Sequence, residues 1–238
     1  MNNKVLYFIL VVLFTQLCVF ESSAQQHKIL LLNGKTIYGD VTDTVNAEIE
    51  YKFYKRNGKK IKERSLEKDR VFSITDTTSG EETVFYYQDT VFNYSPYSVE
   101  EMRYYIKGEQ DAMRGYKPRA TFIFGFITGL GIVMWDTYGE IRQVQSDSLM
   151  SKGFFHEEPG IINVAWPLLY TAGAAIPKVK INVSSIHDKS YLNHDAYLDG
   201  YERVARSKKV FSAVKGSALG VVTGIVSYFI FNPDIDNR

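Results

Sequence analysis

Two hydrophobic periods divide the chain. From Lys28 to about Tyr94 the pattern is that of strands in six short runs: KILLL, KTIYGDV, the alternating AEIEYKFYK, KIKERSL, RVFSIT and ETVFYYQDTVF. Alternation of this kind marks strands with one buried face. Asn33-Gly34 and Asn57-Gly58 stand between successive runs, each supplying the positive-φ residues that a tight hairpin needs. The TTSG stretch before Glu81 reads as a further turn. No helical pattern intervenes, so parallel topology does not fit. The expectation for residues 25–96 is a small antiparallel β-sheet or partly open barrel of five or six strands.

The period changes at Ser98. With Glu101 three residues on, Ser98 fits a capping box that satisfies two backbone amides at a helix start, and a helix is predicted from about Val99 to Tyr116. Pro118 separates it from the apolar run ATFIFGFITGLGIVMW (120–135). Residues 136–160 are polar and rich in Gly and Pro, which predicts a loop or linker. A second apolar run, IINVAWPLLYTAGAAI (161–176), carries Pro167; after a mixed stretch, a helix from about Asn193 to Lys209 leads into a third apolar run that ends at Phe231. The whole is an α+β protein in which the β module precedes glycine-rich helical hairpins spanning 97–238.

Gly125 and Gly129 are four apart, as are Gly216, Gly220 and Gly224. Residues at that spacing share one helix face. Each glycine costs a helix about 1 kcal/mol relative to alanine, so a face of them implies a close contact that offsets the loss. The surrounding segments also repeat weakly: Tyr105 and Gly108 are followed 17 residues later by Gly125, and Tyr197 and Gly200 are followed 16 residues later by Gly216. A duplication needs a one-residue insertion. The alternative is two hairpins built by the same rules.

The three apolar runs fit either membrane helices or the core of a soluble bundle. Sixteen helical residues reach about 24 Å, short of a hydrocarbon layer of roughly 30 Å, whereas Val210 to Phe231 reaches about 33 Å. In that longest run Lys215 must snorkel to a headgroup region. Charge placement conflicts with the export signal described next. Arg114, Lys117 and Arg119 precede the first run and Arg203, Arg206, Lys208 and Lys209 precede the third, while acidic residues follow both. Cationic flanks favour the cytoplasmic side, and an exported amino-terminal domain would hold them outside. Helices packed at a membrane surface, or oligomerised within the envelope, stay open.

Residues 1–24 read as a secretory signal peptide: Lys4, an apolar run from Val5 to Phe20, then Ser22 and Ala24 before a cut at Gln25. An uncleaved anchor is the alternative; lipidation of Cys18 fits poorly beside Leu17. Cys18 is the one cysteine, so cleavage removes disulfides, thiolate metal sites and cysteine nucleophiles together. The chain is 45% hydrophobic, which argues against disorder, and its net charge is +1, which gives the whole molecule no pull toward nucleic acid. The signal peptide, the β region, YLDGYERVARSKK and GSALGVVTG resemble those of exported bacterial cell-envelope proteins that join a small β module to glycine-zipper helices. The resemblance implies envelope localisation and membrane association, with no catalytic residue carried over.

Chemistry-bearing motifs are sparse. HDKSYLNHD sets His187 and His194 seven apart, which on a continuous helix would share a face, but a metal site needs a third ligand that nothing nearby fixes. Ser184 or Ser185 with His187 lacks a nucleophile elbow, and no Walker loop or strand-following GxGxxG is present. Glu81-Glu82 and Glu157-Glu158 read as solubilising. No enzyme activity, metal or other cofactor is expected. The most pronounced local charge is a hairpin in which Lys52, Lys55, Arg56, Lys59, Lys60 and Lys62 belong to a stretch of nine basic and three acidic residues, Tyr51 to Arg70. It could meet an anionic membrane surface or acidic envelope polymer, or simply protect a sheet edge. The leading expectation is a non-enzymatic, membrane-associated envelope component with a structural or assembly role. Its partners would be envelope lipid and other copies of itself, its helices self-associating through the glycine faces. The rival is a soluble periplasmic module that uses the basic hairpin or a tyrosine-rich β face to hold an anionic or carbohydrate ligand.

Overall fold

The computed structural model describes residues 26–44, 47–54, 61–88, 96–142, 149–183 and 186–232. The signal segment with Cys18, the hairpin residues Lys55, Arg56, Asn57, Gly58, Lys59 and Lys60, and Ser184 and Ser185 lie outside the described residues. The chain divides into two compact units, residues 1–87 and 88–238.

The first unit is an open six-stranded antiparallel sheet, as the alternating runs predict. Its strands are β1 (His27–Leu31), β2 (Thr36–Asp43), β3 (Glu48–Tyr54), β4 (Ile61–Glu67), β5 (Val71–Asp76) and β6 (Glu82–Val84), in the spatial order β4-β3-β2-β1-β5-β6. Asn33-Gly34 turns β1 into β2, with Gly34 at φ 74° and its N–H donating to the Leu31 carbonyl at 3.0 Å. A 3-10 turn at Lys68–Arg70 separates β4 from β5, which pairs with β1. Period-two alternation pairs Ile29 with Leu31 and Ile49 with Tyr51 on one face, and a register shift between β1 and β5 at Leu30–Leu31 brings Val71 as well as Ile74 into the same buried cluster. β6 is shorter than ETVFYYQDTVF suggests, ending at Val84, although Phe85 and Tyr86 still donate to the Phe72 carbonyl.

The second unit contains four helices among the described residues: α1 (Val99–Gly115), α2 (Arg119–Asp136), α3 (Ile162–Ala175) and α4 (Asp195–Phe231). The capping box forms at α1: the Ser98 side chain accepts from the Glu101 N–H at 3.2 Å, and the Glu101 carboxylate accepts from the Ser98 N–H at 2.8 Å. Pro118 breaks the path between α1 and α2. No such break interrupts α4, which merges the charged helix and the third apolar run into 37 residues. The expected loop at 136–160 contains a two-stranded hairpin, β7 (Gly139–Arg142) with β8 (Leu149–Gly153). Its short strands lack the apolar alternation that would have revealed them.

Contacts fix the helix directions. Tyr105 lies at Gly200, Phe122 at Gly216, Phe126 at Gly220 and Val133 at Gly224, so the α1–α2 path runs parallel to α4. The Tyr170 hydroxyl donates to the Thr121 carbonyl at 2.9 Å, Trp166 reaches Thr128, and Asn163 donates to Asp136 at 2.7 Å; α3 therefore runs antiparallel to α2. The three apolar segments lie side by side over the same depth, with α2 reaching about 27 Å. Arg119, Lys178 and Lys209 stand at one end and Asp136 at the other, since Lys209 donates to the Pro177 carbonyl beyond α3.

Candidate functional site

The candidate features of the helical unit are the seam between α2 and α4 and the cationic junction at its start. Along the seam every expected packing glycine meets another helix. A Cβ on Gly216 or Gly220 would collide with the carbonyl oxygen of Phe122 or Phe126 respectively. On the facing helix, a Cβ on Gly129 would collide with the Ser217 carbonyl oxygen, and one on Gly125 would stand 3.2 Å from the Ala213 carbonyl oxygen and 2.9 Å from the Ser217 nitrogen. Gly224 faces the Val133 side chain. These faces are filled within one chain, so the glycine surface expected to self-associate is already occupied by the protein's own helices.

The contacts are reciprocal. Gly108 abuts the Tyr197 carbonyl while Gly200 abuts the Tyr105 carbonyl; Gly129 lies against Ser217 and Val221 while Gly220 lies against Phe126 and Leu130. Each pair exchanges residues at equivalent positions of the weak repeat, as across a two-fold axis. The one-residue difference between copies falls where Pro118 interrupts one path and α4 is continuous.

Below the seam, α1 and α4 bury a polar cluster. Asp111 accepts from the Tyr197 hydroxyl at 2.8 Å and from the His187 N–H at 3.1 Å. Glu109, only 2% exposed, pairs with Arg203 at 3.2 Å through Oε1, while Oε2 finds no protein partner. Burial pushes the Glu109 carboxyl up to about 7, Arg203 pulling the other way. Burial and the Asp111 hydrogen bond likewise raise the Tyr197 phenol above its ordinary range.

At the junction Lys208 closes the carboxyl end of α1, donating to the carbonyls of Ala112 at 3.1 Å, Met113 at 2.5 Å and Tyr116 at 3.2 Å. The last carbonyls of a helix lack intrahelical partners, and a cation there also complements the helix dipole. Burial and the neighbouring Lys117 lower the Lys208 pKa. Beside it opens a groove of about 730 Å³ whose wall includes Lys117, Arg119, Phe122, Ile123, Phe211 and Lys215. The sequence shows this cluster only as two separate basic flanks.

The remaining candidates disperse. Lys52 pairs with Glu63 at 3.0 Å, and its groove includes Glu50 as well as Arg64. Lys62 is exposed on β4, opposite Phe53. Most of the cationic excess of that hairpin therefore rests on Lys55, Arg56, Lys59 and Lys60, outside the described residues. His187 and His194 do not share a helix face: a 3-10 turn, Lys189–Asn193, lies between them, and His194 stacks on Tyr104 at 3.8 Å. Among the described residues no group of three or more His, Cys, Asp and Glu is placed to hold a metal ion. No family model, curated protein or solved structure matches the chain.

Proposed function

We propose that this is an exported, non-enzymatic protein of the bacterial cell envelope with a structural or assembly role, held in a membrane by α2, α3 and the second half of α4. One observation carries the reading: the helices sort residues by size in the sense opposite to a water-soluble core. Gly125, Gly129 and Val133 are buried on α2, and Ala213, Gly216, Ser217, Gly220, Val221 and Gly224 on the second half of α4, where Tyr228 is the one large side chain buried with them. The large apolar residues point outward, Phe124 being 62% exposed, Trp135 68%, Leu168 74% and Ile230 68%. Counting Ile161 and Ile176 beside α3, seventeen large apolar side chains are exposed on these helices. At about 2 kcal/mol for a fully exposed side chain, and with these roughly 60% exposed, covering them with hydrocarbon is worth on the order of 20 kcal/mol. Soluble monomers do not leave continuous apolar patches of that extent to water.

Hydroxyl chemistry supports the same reading. Thr128, Thr171, Ser217, Thr223 and Ser227 each donate to a carbonyl four residues earlier on their own helix, at 2.6–2.9 Å. Each of these hydroxyl donors is thereby satisfied within its own helix, as a lipid surround requires. With the seam closed inside each chain, contact between the apolar helices of two copies would use their outer faces.

Extraction of isolated envelopes tests the proposal. The processed chain is expected to resist alkaline carbonate and high salt and to require detergent. Release as a monomer by carbonate alone would refute it.

A further inference from the structure

We propose that the groove between the α1–α2 junction and α4 binds the phosphate headgroup of an anionic phospholipid, whose acyl chain runs along Phe122, Ile123 and Phe211. The inference rests on the membrane reading above and adds a specific ligand to it.

Charge complementarity identifies the occupant. The groove is lined by four cations, Lys117, Arg119, Lys208 and Lys215, and by no acidic side chain. Three helix-end carbonyls hold the Lys208 ammonium in place. Lys117, Arg119 and Lys215 have no ion-pair partner among the described residues. Four like charges around one opening repel one another until an anion enters.

Position separates a lipid from other anions. Arg119 and Lys208 stand where the polar helices give way to apolar ones. Lys215 lies five residues beyond Val210, about 7 Å deeper along α4, at a depth where an unpaired cation is costly in hydrocarbon. A phosphate at headgroup depth would pair with Lys215 from above while its glycerol and acyl chain lie against the exposed faces of Ile123 and Phe211. Inorganic phosphate would meet the cations and leave that apolar wall bare. The groove asks for both halves of one amphiphile.

The test reconstitutes the full chain in nanodiscs of phosphatidylcholine containing a minor fraction of phosphatidylglycerol, and measures retained lipid by native mass spectrometry. The triple variant K117Q/R119Q/K215Q leaves the Lys208 cap intact. It is expected to lose selective retention of phosphatidylglycerol by about a hundredfold, while K117R/K215R retains it. Helical circular dichroism and insertion into pure phosphatidylcholine should be the same for all three proteins. Unchanged selectivity in the triple variant would overturn the proposal, as would displacement of the lipid by inorganic phosphate at comparable affinity. Insertion without lipid preference would refute the site alone. Failure to insert into either bilayer would refute the membrane reading and the site with it.

Discussion

Replacing Gly220 with alanine adds a single methyl group and should loosen the whole helical unit. The new Cβ would overlap the Phe126 carbonyl oxygen and stand 2.9 Å from the Leu130 nitrogen. Both are backbone atoms in the interior of α2, so no side-chain rotation relieves the clash. Relief requires α2 and α4 to part by about 1 Å at this level, and contacts of this kind cost roughly 1–3 kcal/mol. The parting is resisted above and below, because Gly216 touches the Phe122 carbonyl and Gly129 touches Ser217. Alanine also removes a helix penalty of about 1 kcal/mol, leaving a net loss of up to about 2 kcal/mol.

Gly131 provides the control. It lies on the same helix as Gly129, yet nothing stands within 4 Å of a Cβ built on it. Gly131→Ala keeps the helix gain without the clash and should stabilise by up to about 1 kcal/mol. The two variants share the helix gain and are thus expected to differ by the clash alone, about 1–3 kcal/mol, roughly 2–12 °C in Tm for a unit of this size. Gly129→Ala, the pseudo-symmetric counterpart of Gly220, should fall with Gly220→Ala rather than with its neighbour. Thermal unfolding followed by helical circular dichroism in one detergent is the assay. If Gly220→Ala and Gly131→Ala melt together, the seam is not a backbone contact and the packing argument fails.

Two other variants probe α1. A carboxyl raised to about 7 from an ordinary 4.5 binds more protons folded than unfolded, so its contribution is full below about 4.5 and is lost as pH rises toward 7. Glu109→Gln should flatten that decline and raise the unfolding free energy at pH 8 relative to the parent, by at most about 3 kcal/mol before discounting the lost Arg203 pair; a parent whose stability climbs between pH 5 and 7, or is unchanged by the variant, contradicts the assignment. Ser98→Ala removes the side chain that accepts the Glu101 N–H and should cost about 1 kcal/mol, some 2–4 °C in Tm, whereas unchanged melting would mean the box contributes nothing.

The sheet was legible because one buried face forces alternation, and Asn33-Gly34 marks its turn chemically. The helix start at Ser98 was legible for a similar reason: the capping box is local. Glycine spacing announced a close contact without naming the partner, since four-residue intervals describe one face and say nothing of what lies on it. Hydrophobic patterning was silent on direction: beyond Val210 α4 is apolar on nearly every side, so the period does not reveal that Gly220 faces inward and Val222 outward. Lys208 and Lys215 escaped as parts of one groove because their neighbours, Lys117 and Arg119, lie about ninety residues away in sequence. The β7–β8 hairpin escaped because its strands carry too few apolar residues to show alternation.

Reciprocity separates the two explanations of the repeat. Two hairpins built independently by small-residue rules would place glycines on both helices, but nothing would fix which glycine meets which carbonyl. Here Gly108 meets Tyr197 and Gly200 meets Tyr105, and the same exchange recurs on the far side of Pro118, with Gly129 at Ser217 and Gly220 at Phe126. The register follows the sequence alignment at both levels, shifting by one residue only across the helix break. That is the contact pattern of a parallel homodimeric helix pair brought into a single chain. Its divergence is local and physical: Val133 stands where the third glycine would be and fills the space that Gly224 leaves opposite it. A swap that places glycine at 133 and valine at 224 should therefore keep the packing that Gly224→Val alone destroys. Equal loss from the swap and the single variant would argue that the pseudo-symmetry is only apparent.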